Sequence, residues 1–301
     1  MNSTLITGGT GIVGSQLVKQ LENPVVISRS ASRANKHFGS ENVRCVEWKS
    51  CYDQFQPPDD IQVDQVVNLM GASVADGRWT NSRKKELVDS RVTATNNLIA
   101  GLKAQGQLPK TFISASAVGF YGDRGDTILE SDSGSGDGFL ADLCKEWEAA
   151  AIQLQDDGVR VVVLRIGIVL AKHGGALPEM KKIFRWGVGG RIGSGKQWVS
   201  WIHVEDLVRM TKYCLDNENT SGVYNAVSPS PSSNNELTKA IGSAINRPTM
   251  LPAPGFGLKL ILGEFAESLL ASVRVSPSRI QRDGFEFKHT DLKQSVIDLI
   301  G

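Results

Sequence analysis

The chain has 301 residues, 41% hydrophobic and 22% charged, with a formal net charge of +1. That balance is ordinary for a globular protein and gives no electrostatic case for nucleic acid or an anionic membrane as partner. Four dispersed cysteines without CxxC spacing and only four histidines give no support for a zinc site, so no metal is expected. Reduced thiols and a first apolar run that begins at residue 4 read as a cytoplasmic chain without a signal peptide.

The run TLIT (4–7) leads through a glycine-rich turn into SQLVKQL, where Leu17, Val18 and Leu21 fall on one helical face. PVVISR, VRCVEW, DQVVNLM, TFISAS and VRVVVLRIG follow, each a short, almost continuously apolar run, separated by helical or polar stretches. Such runs mark parallel strands covered on both faces, and right-handed crossovers then give an α/β fold with a doubly wound parallel sheet of the Rossmann type. A long helix is predicted over 80–104 from a Thr80 cap, and another over 138–155 with Leu140, Leu143, Trp147 and Leu154 inward.

After about residue 175 the texture changes to a glycine-rich loop, RWGVGGRIGSGKQW, then the helix of WIHVEDLVRMTKYCL and the strand GVYNAV. From about 230 helical segments are joined by proline-rich stretches. The expected organisation is a dinucleotide-binding domain over 1–230, with 175–205 contributing a substrate-cleft loop, and a small, mostly helical C-terminal domain over 231–301. The most apolar late stretch, FGLKLILGEFAESLLASV, is interrupted by Lys259, Glu264 and Glu267 and reads as an amphipathic packed helix rather than a membrane span. Asp206, near the start of a helix, is explained by capping and the helix dipole.

The turn Gly8-Gly9-Thr10-Gly11-Ile12-Val13-Gly14 contains Gly-x-Gly-x-x-Gly at 9, 11 and 14. A tight turn, a pyrophosphate lying against backbone amides, and close packing of helix on strand each require a residue without a β-carbon. At the end of the second strand, where NAD sites place an acid, the sequence has Ser28, Arg29 and Arg33, with no acid between Glu22 and Glu41. A hydroxyl and two cations suit a 2′-phosphate, so NADP(H) is expected over NAD(H).

The turn together with VVNLMGA, FISASAVGFYGD and WIHVEDL resembles the extended short-chain dehydrogenase/reductase superfamily. RWTNSRKKELVDSR, GALPEMKKIFRWGVGGRIGSGKQWVSWIHVEDL and the C-terminal block resemble its NAD-dependent epimerase/dehydratase-like branch, sometimes labelled division-inhibitor-like. The resemblance spans essentially the whole chain. It implies contacts of Ser28 and Arg29 with the adenosine phosphate, and of Leu69 and Met70 with adenine and ribose. Glu86 and Arg91 would touch the cofactor and Ile168 would pack near the nicotinamide. For Glu86 and Arg91 a solvated helix face is the competing reading. Pairing of the 80–104 and 138–155 helices between subunits, common in the superfamily, makes a homodimer an open expectation.

The same resemblance implies a Tyr-x-x-x-Lys pair, one helical turn apart, for proton transfer. The helix GFLADLCKEWEAAA lacks it: one register puts Leu140 and Cys144 at the two positions, the other Ala141 and Lys145. Ser116, Tyr121 and Lys145 are the candidates to compensate, while a packing role competes for Tyr121 and a buried thiol is the usual explanation for Cys144. The loop 189–197 nearly spells a Walker phosphate loop but ends in Gln197, which cannot hold magnesium as Ser or Thr does. Its Arg191, Lys196 and Trp198, with Arg185, suit an anionic small-molecule substrate, or the loop is simply rigid surface. Two functions stay open: an oxidoreductase or epimerase acting on a polar or nucleotide-linked metabolite, and an NADP(H)-binding regulatory protein with little turnover.

Overall fold

The computed structural model describes residues 3–39, 42–187 and 189–301. Seven strands form its central sheet: β1 (Ser3–Thr7), β2 (Pro24–Ser28), β3 (Arg44–Glu47), β4 (Val63–Asn68), β5 (Thr111–Ala117), β6 (Arg160–Ile166) and β7 (Gly222–Ala226). They lie in the order β3-β2-β1-β4-β5-β6-β7 and every neighbouring pair is parallel. The direction of winding reverses between β1 and β4. Sheets of this kind hold ligands at such a reversal, in the crevice outside the carboxyl ends of the strands.

Because side chains alternate along a strand, the apolar runs feed two cores. Ile6, Val26, Val67, Ile113 and Leu164 pack on one face against α1 (Gly14–Val18), α2 (Ala31–Phe38) and α7 (Val204–Asp216) through Leu17, Phe38 and Leu207. Leu5, Val25, Val66, Phe112 and Val163 pack on the other against Leu98, Ile99 and Leu102 of α4 (Ala94–Ala104) and Ala151 of α5 (Phe139–Ile152). Each fully buried Leu or Ile contributes about 1.5–3 kcal/mol, so this covering on both faces is what demands uninterrupted apolar strands.

The Thr80 hydroxyl accepts from Arg83 N at 3.2 Å and caps α3 (Asn81–Val88). The 80–104 helix continues through a π-helical turn, Asp89–Thr93, into α4. α1 stops at Val18, short of the expected seven residues, since the chain must turn before Pro24 opens β2.

A third core joins Leu177 and Phe184 of α6 (Ala176–Arg185) to Leu237 and Ile241 of α8 (Asn234–Ala244) and to Val296 and Ile300 of α11 (Leu292–Ile300). Asp206 is not a cap. Its fully buried carboxylate accepts from Lys288 N at 2.9 Å and His289 N at 2.8 Å, tying the C-terminal segment to α7, and the cap is the His203 ring, which accepts from Glu205 N. The predicted amphipathic helix after 255 is two short ones, α9 (Gly255–Leu262) and α10 (Phe265–Leu270), broken at left-handed Gly263. α9 buries none of its side chains, and Phe256 and Leu260 are 80% and 77% exposed. Among the described residues no helix is long and apolar enough to cross a membrane.

Candidate functional site

The glycine turn sits at the reversal point. Gly8 has φ +68°, and a β-carbon on it would lie 2.7 Å from the Leu69 carbonyl oxygen. A β-carbon on Gly9 would strike Val26, and one on Gly14 would come within 2.4 Å of the Gly8 oxygen. The turn is therefore wedged between β2 and the end of β4. Thr7 Oγ1 donates to Asn68 Oδ1 at 2.7 Å and accepts from Leu69 N, while Asn68 Nδ2 donates to Thr95 Oγ1 at 2.8 Å, which locks the turn, Leu69 and Met70 to α4. The amides of Thr10, Ile12 and Val13 find no acceptor among the described residues. They are the free donors an anion needs, whereas α1 is too short for its dipole to add much. Ile12 leans on Gly174 and Gly175, in the loop before α6.

At the edge of this crevice Ser28 ends β2 and accepts from Ser30 N at 3.3 Å. Arg29 and Arg33 are exposed, and neither pairs with a carboxylate among the described residues. One acid does reach this corner. It is Glu47, the register partner of Ser28, and it comes from β3 instead of β2.

On the opposite rim the π turn aims Arg91 under the loop that follows β4. π turns, which misplace one residue in the helical ladder, recur at functional sites for this reason. Arg91 donates to Ala72 O at 2.9 Å and Leu87 O at 3.3 Å and lies 5.2 Å over the Trp147 ring, with no carboxylate partner among the described residues. Burial pushes its guanidinium down to about 10, so it stays charged at neutral pH. Glu86 instead faces outward and pairs with Arg83 at 2.5 Å, the solvated-face arrangement.

α5 packs Leu140 against Gly119 and buries Cys144 near Arg91. Lys145 is not among the residues brought together. It lies on the outer face of α5 and pairs with Asp142 at 2.7 Å, off the stripe of Ala141, Cys144 and Glu148 that recurs at helical spacing on the buried face. Burial pushes the Cys144 thiol up to about 11. At pH 8 only about one in a thousand such thiols is ionised, so Cys144 is expected to resist iodoacetamide while half-buried Cys45 and Cys51 react first. Peptide mapping after brief labelling at pH 8 reads this directly, and early modification of Cys144 would contradict it.

Ser116 and Tyr121 belong to one buried polar network. Ser116 Oγ donates to Glu148 Oε1 at 2.6 Å, and Arg165 reaches both Glu148 oxygens at 2.9 and 2.8 Å. Arg165 Nη1 donates to the Tyr121 hydroxyl at 2.9 Å, and that hydroxyl donates to Asn225 Oδ1 at 2.6 Å. Tyr121 is fully buried and its phenol is pushed up by burial, the reverse of the shift an acid–base tyrosine needs. Its hydroxyl is spent on packing the loop after β5 against β7. Sequence reasoning passed over Arg165, although a cation inside the apolar run VRVVVLRIG signals a buried partner.

The loop 189–197 is held on several sides. Asn234 Oδ1 accepts from Ile192 N at 2.7 Å, Gly193 N donates to Ala253 O, and Gln197 Nε2 donates to Ile192 O. Arg191 and Lys196 remain exposed on this firm support. Ile168, 37% exposed, opens the short strand Ile168–Leu170 beside Trp201–His203. Trp79 stacks edge-on with Phe139 and tilts against Phe265, an aromatic wall between the loop after β4, α5 and α10. His203, Glu205 and His289 also gather donor atoms. However, the two rings stack at 3.7 Å and 19°, so their in-plane lone pairs cannot meet at one ion. Lys288 and His289 hold the Glu205 carboxyl down at about 2, and the cluster is a hydrogen-bonded clamp.

Residues 4–226 match the model of the NAD dependent epimerase/dehydratase family, and residues 253–299 match a domain of unknown function, DUF1731. The chain belongs to the NAD dependent epimerase/dehydratase family. It is 39% identical over 293 residues to the epimerase family protein ML0860 of Mycobacterium leprae, covering 97% of this chain and 93% of that one. The crystal structure of human epimerase family protein SDR39U1 with NADPH superposes with a TM-score of 0.87 at 30% identity, over 99% of both chains. UDP-glucuronic acid 4-epimerase from Bacillus cereus, in complex with UDP-glucuronic acid and NAD, shares the fold at 16% identity, with a TM-score of 0.77 over 99% of this chain and 98% of that one. The family's sheet and turn are therefore intact here, while its C-terminal helices carry the second match.

Proposed function

We propose that this family member binds NADP(H) across the crevice and exchanges hydride between the nicotinamide and a polar, anionic metabolite of the nucleotide-linked kind. The observation that carries the reading is the glycine cradle. Gly8, Gly9 and Gly14 let the turn close against Leu69, Val26 and its own backbone, which leaves its free amides next to two arginines that no carboxylate among the described residues neutralises. Ser28 and Arg29 would hold the 2′-phosphate, Leu69 and Met70 would border the adenosine, and Arg91 and Ile168 would flank the nicotinamide half. The coenzyme, when bound, supplies the hydride donor or acceptor. Exposed Arg191 and Lys196 on the braced loop are suited to an anionic substrate. NADPH found bound to human SDR39U1 supports the same coenzyme choice.

Fluorescence titration tests it. NADPH is expected to bind at least about tenfold more tightly than NADH, and Arg29→Ala to remove most of that margin, since a charge-assisted contact is worth about 1.5–3 kcal/mol. Equal affinity for the two coenzymes would reject the choice.

The engaged hydroxyls of Ser116 and Tyr121, and an α5 that carries no Tyr-x-x-x-Lys pair, favour a second reading: a coenzyme-binding regulatory protein with little turnover. Incubation of labelled NADPH with a cell metabolite extract separates the two readings, because only an enzyme oxidises the label.

A further inference from the structure

We infer that Glu47 is a tethered competitor for the coenzyme's 2′-phosphate and limits the margin by which NADP(H) is preferred; this rests on the NADP(H) reading above. Ser28 and Glu47 stand side by side at the carboxyl ends of β2 and β3. From there the Glu47 carboxylate crosses to the start of α2, where Oε2 accepts from Ala31 N at 3.3 Å, and Oε1 meets Lys49 Nζ at 3.3 Å. The neighbouring donors are otherwise settled. Ser28 Oγ accepts from Ser30 N, and the Ser30 hydroxyl accepts from Arg33 N at 3.4 Å as the cap of α2.

The corner thus holds an amide at a helix start, a serine hydroxyl and two exposed, uncompensated arginines, and the only anion in hydrogen-bond contact with that amide, among the described residues, is the chain's own. A phosphate brings more negative charge and three acceptor oxygens to the same donors. To take the Ala31 amide it must displace Glu47 toward Lys49, against the repulsion of a carboxylate that remains on the next strand. A ribose hydroxyl, uncharged and able to donate to that carboxylate, meets no such opposition. Glu47 therefore weakens the phosphorylated coenzyme while leaving the unphosphorylated one untouched or slightly favoured. Because the acid arrives from β3, the Arg29 side of the corner is unaffected.

The test is titration of the full chain, wild type, Glu47→Gln and Glu47→Ala, with NADPH and with NADH. Both variants are expected to bind NADPH about three- to tenfold more tightly, the effect of removing one screened like charge near a phosphate, and to bind NADH within threefold of wild type or more weakly. NADPH affinity unchanged or reduced in the two variants, while wild type still prefers NADPH, overturns this inference and leaves the coenzyme assignment standing. Wild type binding neither nucleotide removes the coenzyme assignment and the competitor with it. Melting curves run alongside separate a loosened α2, which would lower the midpoint and weaken both nucleotides together, from relief of competition; that result also counts against the inference.

Discussion

Glu148→Ala is expected to lower stability by about 3–5 kcal/mol, the largest loss from any single truncation in the polar core. Glu148 and Arg165 expose only 6% and 5% of their side chains and share two hydrogen bonds, with the guanidinium lying 3.4 Å over the Phe120 ring. Removing the carboxylate strands a cation where water cannot reach it and leaves the Ser116 hydroxyl without its acceptor. What is lost is compensation more than attraction, so the double variant Glu148→Leu/Arg165→Met, which takes away both charges, is expected to recover much of the deficit. Urea unfolding followed by circular dichroism measures both. A single variant within about 1 kcal/mol of wild type would mean that the pair is hydrated and that the network does not hold the loop after β5.

That network also marks where the sequence stops being readable. The seven strands were visible because a sheet covered on both faces must be apolar throughout, and the crevice because glycine is forced wherever backbone meets backbone, as at Gly8 and Leu69. The Thr80 cap was visible because a hydroxyl before a helical stretch has one obvious use. The π turn that aims Arg91 leaves no residue signature, since it changes only which carbonyl each amide selects. Arg165 and Glu148 each look anomalous alone, but their meeting depends on the crossing of β6 and α5. Glu47 was missed because the search for an acid stopped at the end of β2, and a parallel neighbour can deliver the same carboxylate to the same corner. α9 went astray for a different reason. The charges at Lys259, Glu264 and Glu267, read as one helix's solvent face opposite a packed one, fall on both sides of the Gly263 break, where Lys259 pairs with Glu267 and Glu264 with Lys84 while the apolar side of α9 stays outside.

Gly14→Ala should weaken NADPH binding by about a hundredfold or more while the rest of the fold survives. The added β-carbon would lie 2.4 Å from the Gly8 oxygen and 2.7 Å from the Gly9 α-carbon, inside contact distance of backbone that has nowhere to go. Gly8 is pressed under Leu69 and Gly9 against Val26, so the turn can only be pushed outward, carrying the amides of Thr10, Ile12 and Val13 off their aim. Losing two charge-assisted hydrogen bonds at about 1.5–3 kcal/mol each accounts for the factor. Gly134→Ala serves as control, since a β-carbon there meets nothing within 4 Å and the residue is not left-handed. Fluorescence titration gives the affinities and the melting midpoint reports the fold. Wild-type affinity in a folded Gly14→Ala chain would require the phosphates to sit somewhere other than this turn, and the coenzyme assignment would go with it.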